Sequence, residues 1–132
     1  MQTAPAVFHE VTARHMTLAA HMQAVERAIQ VMHIHMHEVL TLEDLASAAY
    51  LSPSRFKHVF RHLIGIPPGE FLSALRLQAA RRLLLTTPLS VTEVCFEVGY
   101  SSPGSFTSRF THRVGLSPRL TDPSLVMGLP LL

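Results

Sequence analysis

Three histidines, His33, His35 and His37, alternate with apolar residues in the stretch VMHIHMHEVL. Read as a β-strand, that alternation puts three imidazoles on one face, the start of a zinc site. A wider window changes the element that must carry them. Leu18, Met22, Val25, Ile29, Met32 and Met36 recur at steps of four and three, with no Gly or Pro between Leu18 and Leu40, which is the spacing of one helix face. On such a helix His33 and His37 share a face while His35 points away. Two ligands fall short of the three or four that zinc takes, and no His-Glu-x-x-His or Cys-x-x-Cys pattern supplies the rest. No metal site is expected.

A second set of groups has clearer chemistry. Between Ser52 and Arg119 lie nine basic residues (Arg55, Lys57, Arg61, Arg76, Arg81, Arg82, Arg109, Arg113 and Arg119) against three acidic ones (Glu70, Glu93 and Glu97), although the formal charge of the whole chain is only +2. Positive charge concentrated in the C-terminal half fits an anionic partner. The chain's 132 residues, 48% hydrophobic and 15% charged, describe a folded protein of one domain or two very small ones. That length leaves no room for a separate cofactor domain, and no G-x-G-x-x-G or G-x-x-x-x-G-K-[ST] motif is present, so neither a cofactor nor enzymatic activity is expected. The single Cys95 cannot form an internal disulfide. The start lacks the unbroken apolar run of a signal peptide, and the apolar end SLVMGLPLL is too short to span a bilayer. A soluble cytoplasmic protein with no membrane partner is the expectation.

The elements that place these charges emerge from an internal repeat. TLEDLASAAYLS-PSRFKHVFRHLIGIPP, from Thr41, aligns with SVTEVCFEVGYSSPGSFTSRFTHRVGLSP, from Ser90. Each copy opens with a capping box, Thr41 with Asp44 and Ser90 with Glu93. Matched apolar positions follow: Leu42, Leu45, Ala46, Ala49 and Leu51 in one, Val91, Val94, Cys95, Val98 and Tyr100 in the other. That places Cys95 in a core face as a small hydrophobe. Each copy then restarts at Ser-Pro, Ser52-Pro53 or Ser102-Pro103, an N-cap followed by a residue whose missing N–H costs nothing there. Phe56, Val59, Phe60 and Leu63 form an inward stripe, matched by Phe106 and Phe110, and Gly65 and Gly115 suit the left-handed residue that ends a helix. A two-turn helix, a turn and a longer helix with a polar face is the helix-turn-helix, here twice. Between the copies PGEFLSALRLQAARRLLLTTP predicts one helix of about 17 residues, roughly 25 Å.

These strings resemble the DNA-binding domain of the AraC/XylS family of bacterial transcription regulators over about residues 25–118. The resemblance rests on both units, the linking helix with Arg76 and Ala80, and both glycine endings. It implies an all-α fold of about seven helices, two helix-turn-helix subdomains joined by a long linking helix. It further implies sequence-specific binding to double-stranded promoter DNA and activation through contact with RNA polymerase. The expected organisation is an N-terminal, partly helical extension at 1–20, a first subdomain at 21–66, the linking helix at 67–87, a second subdomain at 88–119 and a tail at 120–132. In the second recognition helix Ser108 stands where relatives carry arginine, and Gly104 offers no side chain near the helix start.

The inward stripe of the first recognition helix leaves Ser54, Lys57 and His58 outward near its N-terminus, the end that meets base edges. Lysine donates to guanine O6 and N7, which makes Lys57 the main expected specificity contact. Arg55 and Arg61 suit phosphates. In the second helix Ser105 and Ser108 are the base-reading candidates, and Thr107, Arg109 and Thr111 the phosphate contacts. Arg109 aligns with inward Val59, so its stem is expected to pack while its head reaches out. The resemblance puts Arg76 where the two halves meet, which implies a structural role for it. The chain is expected to act as a monomer. The alternative is an interaction or dimerisation module using the helix before Leu40, carried by Leu18 and Met22, with DNA binding secondary.

Overall fold

In the computed structural model the backbone of residues 6–120 and the side chains of 17–119 are described; the first five residues of the N-terminal extension and the tail beyond Leu120 lie outside the described residues. The order is α1 (Ala6–His35), α2 (Leu42–Ala48), α3 (Pro53–Ile64), α4 (Pro68–Thr86), α5 (Val91–Glu97) and α6 (Pro103–Val114), then a 3-10 turn at Pro118–Leu120. The fold is all-α, with no strand among the described residues. Packing divides the described residues into two units, one running up to residue 34 and including 41–68, the other made of 35–40 and the residues from 69 on.

In the first unit α2 has only seven residues, too few to stand alone. Its start is fixed by the reciprocal box, with Thr41 N–H donating to Asp44 Oδ2 at 2.9 Å and Asp44 N–H to Thr41 Oγ1 at 3.1 Å. The backbone N–H of Thr41 and then its hydroxyl hold the Asp44 carboxyl below the usual carboxylate range. Its end is fixed from α1: Arg27 donates to the carbonyls of Ala48 and Ala49, both at 3.3 Å, and lies 4.6 Å from the centroid of the Tyr50 ring. Two of the carbonyls that a helix end leaves unpaired are thereby satisfied. Leu45, Ala46 and Ala49 are buried against a core that includes Val25, Ala28, Met32, Phe56, Val59 and Phe60.

Tyr50 has φ +58, the only non-glycine residue at positive φ among those described. The corresponding turn of the second unit uses Gly99, at φ +97. A Cβ in the left-handed region costs about 1–2 kcal/mol, and Tyr50 is offset only by an exposed cation–π contact worth about 0.5–1 kcal/mol. Tyr50→Gly is therefore expected to stabilise the first unit by up to about 1 kcal/mol in urea denaturation; a loss would mean that the aromatic contact outweighs the strain.

The second unit repeats the plan with Val94, Cys95, Val98, Phe106 and Phe110 buried and Leu77 and Ala80 of α4 completing the core. Burial pushes the Cys95 thiol up, away from the reactive thiolate. Here the capping box is only half built. Glu93 N–H donates to Ser90 Oγ, but the Glu93 carboxylate accepts from the Ser90 hydroxyl rather than from its backbone N–H. Both recognition helices end at glycines in the left-handed conformation, Gly65 at φ +93 and Gly115 at φ +88.

Two expectations change. The helix carrying the histidines stops at His35, so His37 does not share a helix face with His33. The chain turns there instead: Glu38 N–H donates to the His35 carbonyl at 2.9 Å, and Arg76 Nε and Nη2 hold the turn by donating to the carbonyls of Met36 (2.8 Å) and Glu38 (2.9 Å). A bond between His35 Nδ1 and Glu38 Oε2 closes the same turn. The apolar stripe also divides: Val25 and Met32 are buried, but Leu18 and Met22 are 45% and 57% exposed.

Candidate nucleic-acid interface

The polar face of α3 follows from its buried one. Phe56, Val59 and Phe60 are buried, with the Phe56 and Phe60 rings 5.6 Å apart, so the helix cannot rotate without exposing aromatic surface. Ser54, Arg55, Lys57, His58 and Arg61 are consequently all exposed. Ser52 Oγ accepts from Arg55 N–H at 3.3 Å, and Pro53 follows the cap, which anchors the N-terminal turn that carries Ser54 and Arg55.

In α6 Phe106 and Phe110 are buried with ring centroids 5.7 Å apart, and the Tyr100 ring lies 5.4 Å from Phe106. Ser105, Thr107, Ser108, Arg109 and Thr111 are exposed. Arg109 is thus exposed although it aligns with the buried Val59. The Thr111 hydroxyl donates to the Thr107 carbonyl at 2.8 Å, so in this rotamer it has only acceptor capacity, and gripping a phosphate requires it to turn outward.

On α4 the three arginines have different settings. Arg76 is the clamp described above, Arg82 is exposed, and Arg81 is buried with its Nε lacking a hydrogen-bond partner.

Two groups were missed in the sequence. His62 lies one turn beyond His58, their rings nearly parallel (8°) with centroids 6.4 Å apart. His21 of α1 lines the same groove beside α3, with Arg55, His58 and His62 and a floor of Leu18 and Val59. The i,i+4 spacing of His58 and His62 was a visible signal, whereas His21 is brought in only by packing. Among the described residues no group of three or more histidine, cysteine or carboxylate side chains is arranged to hold a metal ion. No helix of the described residues is long and apolar enough to cross a membrane.

The profile of a family described as a helix-turn-helix domain matches residues 45–122. The HTH-type transcriptional regulator YobQ of Bacillus subtilis is 32% identical over 93 residues, 70% of this chain and 39% of that protein. The HTH-type transcriptional activator AarP of Providencia stuartii is 33% identical over 81 residues, 61% of this chain and 60% of that one. The match therefore spans less than two thirds of either relative. Among solved structures, a transcriptional regulator of Chromobacterium violaceum described as AraC-type is similar at a TM-score of 0.73 and 25% identity, over 86% of this chain and 99% of that one. The DNA-binding domain of AdpA, solved in complex with a target DNA, is similar at a TM-score of 0.68 and 35% identity, over 73% of this chain and 86% of that one.

Proposed function

This chain belongs to the AraC/XylS family of DNA-binding, helix-turn-helix transcriptional regulators, and from that premise we propose that it binds promoter DNA sequence-specifically and activates transcription. The observation that carries the proposal is the repeated unit: a capped two-turn helix, a left-handed turn and a Ser-Pro-started helix whose aromatic pair holds a polar face outward. Each recognition helix enters a major groove, the two grooves about one helical turn (roughly 34 Å) apart. Ser54, Lys57 and His58 read bases in one half-site; Ser105 and Ser108 read fewer in the other. Arg55, Arg61, Thr107, Arg109 and Thr111 grip phosphates, and RNA polymerase is the protein partner. The chain acts as a monomer.

The test is selection from a random duplex pool at two salt concentrations. Two half-sites about one turn apart support the reading; binding without any sequence preference that collapses with salt would leave only a basic surface. Lys57→Ala is expected to weaken the selected site by about 1–3 kcal/mol and relax preference at one position. Arg61→Ala should weaken all sequences alike and lower the salt slope by about one. Equal loss on every sequence for Lys57→Ala would reassign it to the backbone.

The exposed Leu18 and Met22 favour a second reading, association through α1, and sedimentation of the purified chain distinguishes the two.

A further inference from the structure

The groove between α1 and α3 has a composition that the base-reading face does not need. Arg55, His58 and His62 sit at i, i+3 and i+7, a stripe along one edge of α3, and His21 faces them from α1. Ser54, Lys57 and Arg61 lie on the adjoining outward face. A helix lying in a major groove about 12 Å wide is bordered on each side by a sugar-phosphate strand, so its edges meet phosphates while its face meets bases.

Resting on the DNA-binding reading above, we propose that this edge is a proton-loaded seat for a DNA backbone phosphate, held by Arg55 and by the imidazoles of His21 and His62, with the base-reading His58 at its border. The charged and titratable groups facing the seat are all basic. From α1 comes His21; from α3 come Arg55, His58 and His62, with Lys57 and Arg61 on the next face. No carboxylate lines the groove among the described residues, and Glu26 of α1 lines a separate one with Met22 and Ile29. A phosphate within about 4–6 Å of an imidazole favours its protonated form, because an opposite charge stabilises the cation. Each imidazole then donates from a ring N–H to a phosphate oxygen, and DNA binding takes up protons.

The sign follows. Imidazole ordinarily titrates near pH 6.5, so affinity gained by proton uptake is present below that range and lost as pH rises through it. An edge built of arginine and lysine alone gives a flat profile over the same range.

The experiment measures affinity for a labelled mixed-sequence duplex by fluorescence anisotropy at constant ionic strength. The wild-type chain should bind about tenfold more tightly at about pH 6 than at about pH 8. His21→Gln/His62→Gln should lose most of the pH dependence. His112→Gln, on α6 and outside the groove, should keep it. His62→Arg supplies a permanent charge and should tighten binding at the higher pH, with circular dichroism checking the fold of each variant. A flat wild-type profile with measurable binding would overturn the proposal, and so would a slope that survives the double substitution. Inorganic phosphate that shifts the imidazole NMR signals while DNA affinity stays flat would assign the groove to a free anion instead, also overturning it. Absence of duplex binding at every pH would sink the DNA-binding reading beneath it.

Discussion

Gly99→Ala is expected to destabilise the second unit by about 2.5–5 kcal/mol, from about 1–2 for a side chain in the left-handed region and about 1.5–3 for disturbed charge-assisted hydrogen bonds. Gly99 has φ +97, and a Cβ there would overlap the Met36 carbonyl oxygen and lie 3.0 Å from Arg76 Nε and 3.2 Å from the His37 Cα. The atoms in the way are mostly backbone, and the side chain among them is a clamp. Arg76 is itself held by the carbonyls of Met36 and Glu38, so it cannot swing aside without leaving them unpaired. Gly115→Ala is the control: its φ is +88, yet nothing lies within 4 Å of a Cβ there. It should cost only about 1 kcal/mol, the conformational part alone. Urea denaturation of the two variants separates strain from overlap. Equal losses would mean that the close approach of the 36–38 segment to the turn contributes nothing to stability.

The same contact marks where sequence reasoning reaches its limit. Periodicity is a local signal and placed the recognition helices well: the stripe of Phe56, Val59 and Phe60 is buried, and Ser52, Ser102, Gly65 and Gly115 end their helices as their chemistry requires. The end of α1 is set only in part by local residues. No Gly or Pro lies near His35, and the carbonyls of Met36 and Glu38, just beyond the helix, are taken by Arg76, about forty residues along the chain. Leu18 and Met22 continue the spacing of Val25 and Met32, yet they remain exposed. Spacing identifies a face and says nothing of what covers it. Leu77 of α4 is buried in the core of the second unit. The site divides likewise. The outward set on α3 is legible because aromatic burial on the opposite side dictates it. His21 is not, because its neighbours Arg55, His58 and His62 are more than thirty positions away and meet it only through packing. Arg109 aligns with Val59 but is exposed where Val59 is buried, since a charged head must stay in water.

Phe106→Ala should have the larger consequence for function. Phe106 is fully buried, stacked obliquely between the rings of Tyr100 and Phe110 at 5.4 and 5.7 Å, and truncating such a side chain costs about 3–5 kcal/mol. The core it leaves is built entirely from residues of the second unit. Small units of this size have only a few kcal/mol in hand, so α6 loses the surface that fixes its polar face. If each unit reads its own half-site, the variant should protect only the half-site read by α3, and Phe56→Ala, which removes the matching buried ring of the first unit, should protect only the other. Amide exchange on the free variants would show which helices lost protection, and footprinting on the selected duplex would show which contacts went with them. Retention of both half-sites in Phe106→Ala, with α6 amides exchanging freely, would mean that the second helix contributes no sequence reading. Loss of both half-sites in either variant would mean that neither unit grips DNA without the other, and the bipartite footprint would then report one cooperative reader rather than two.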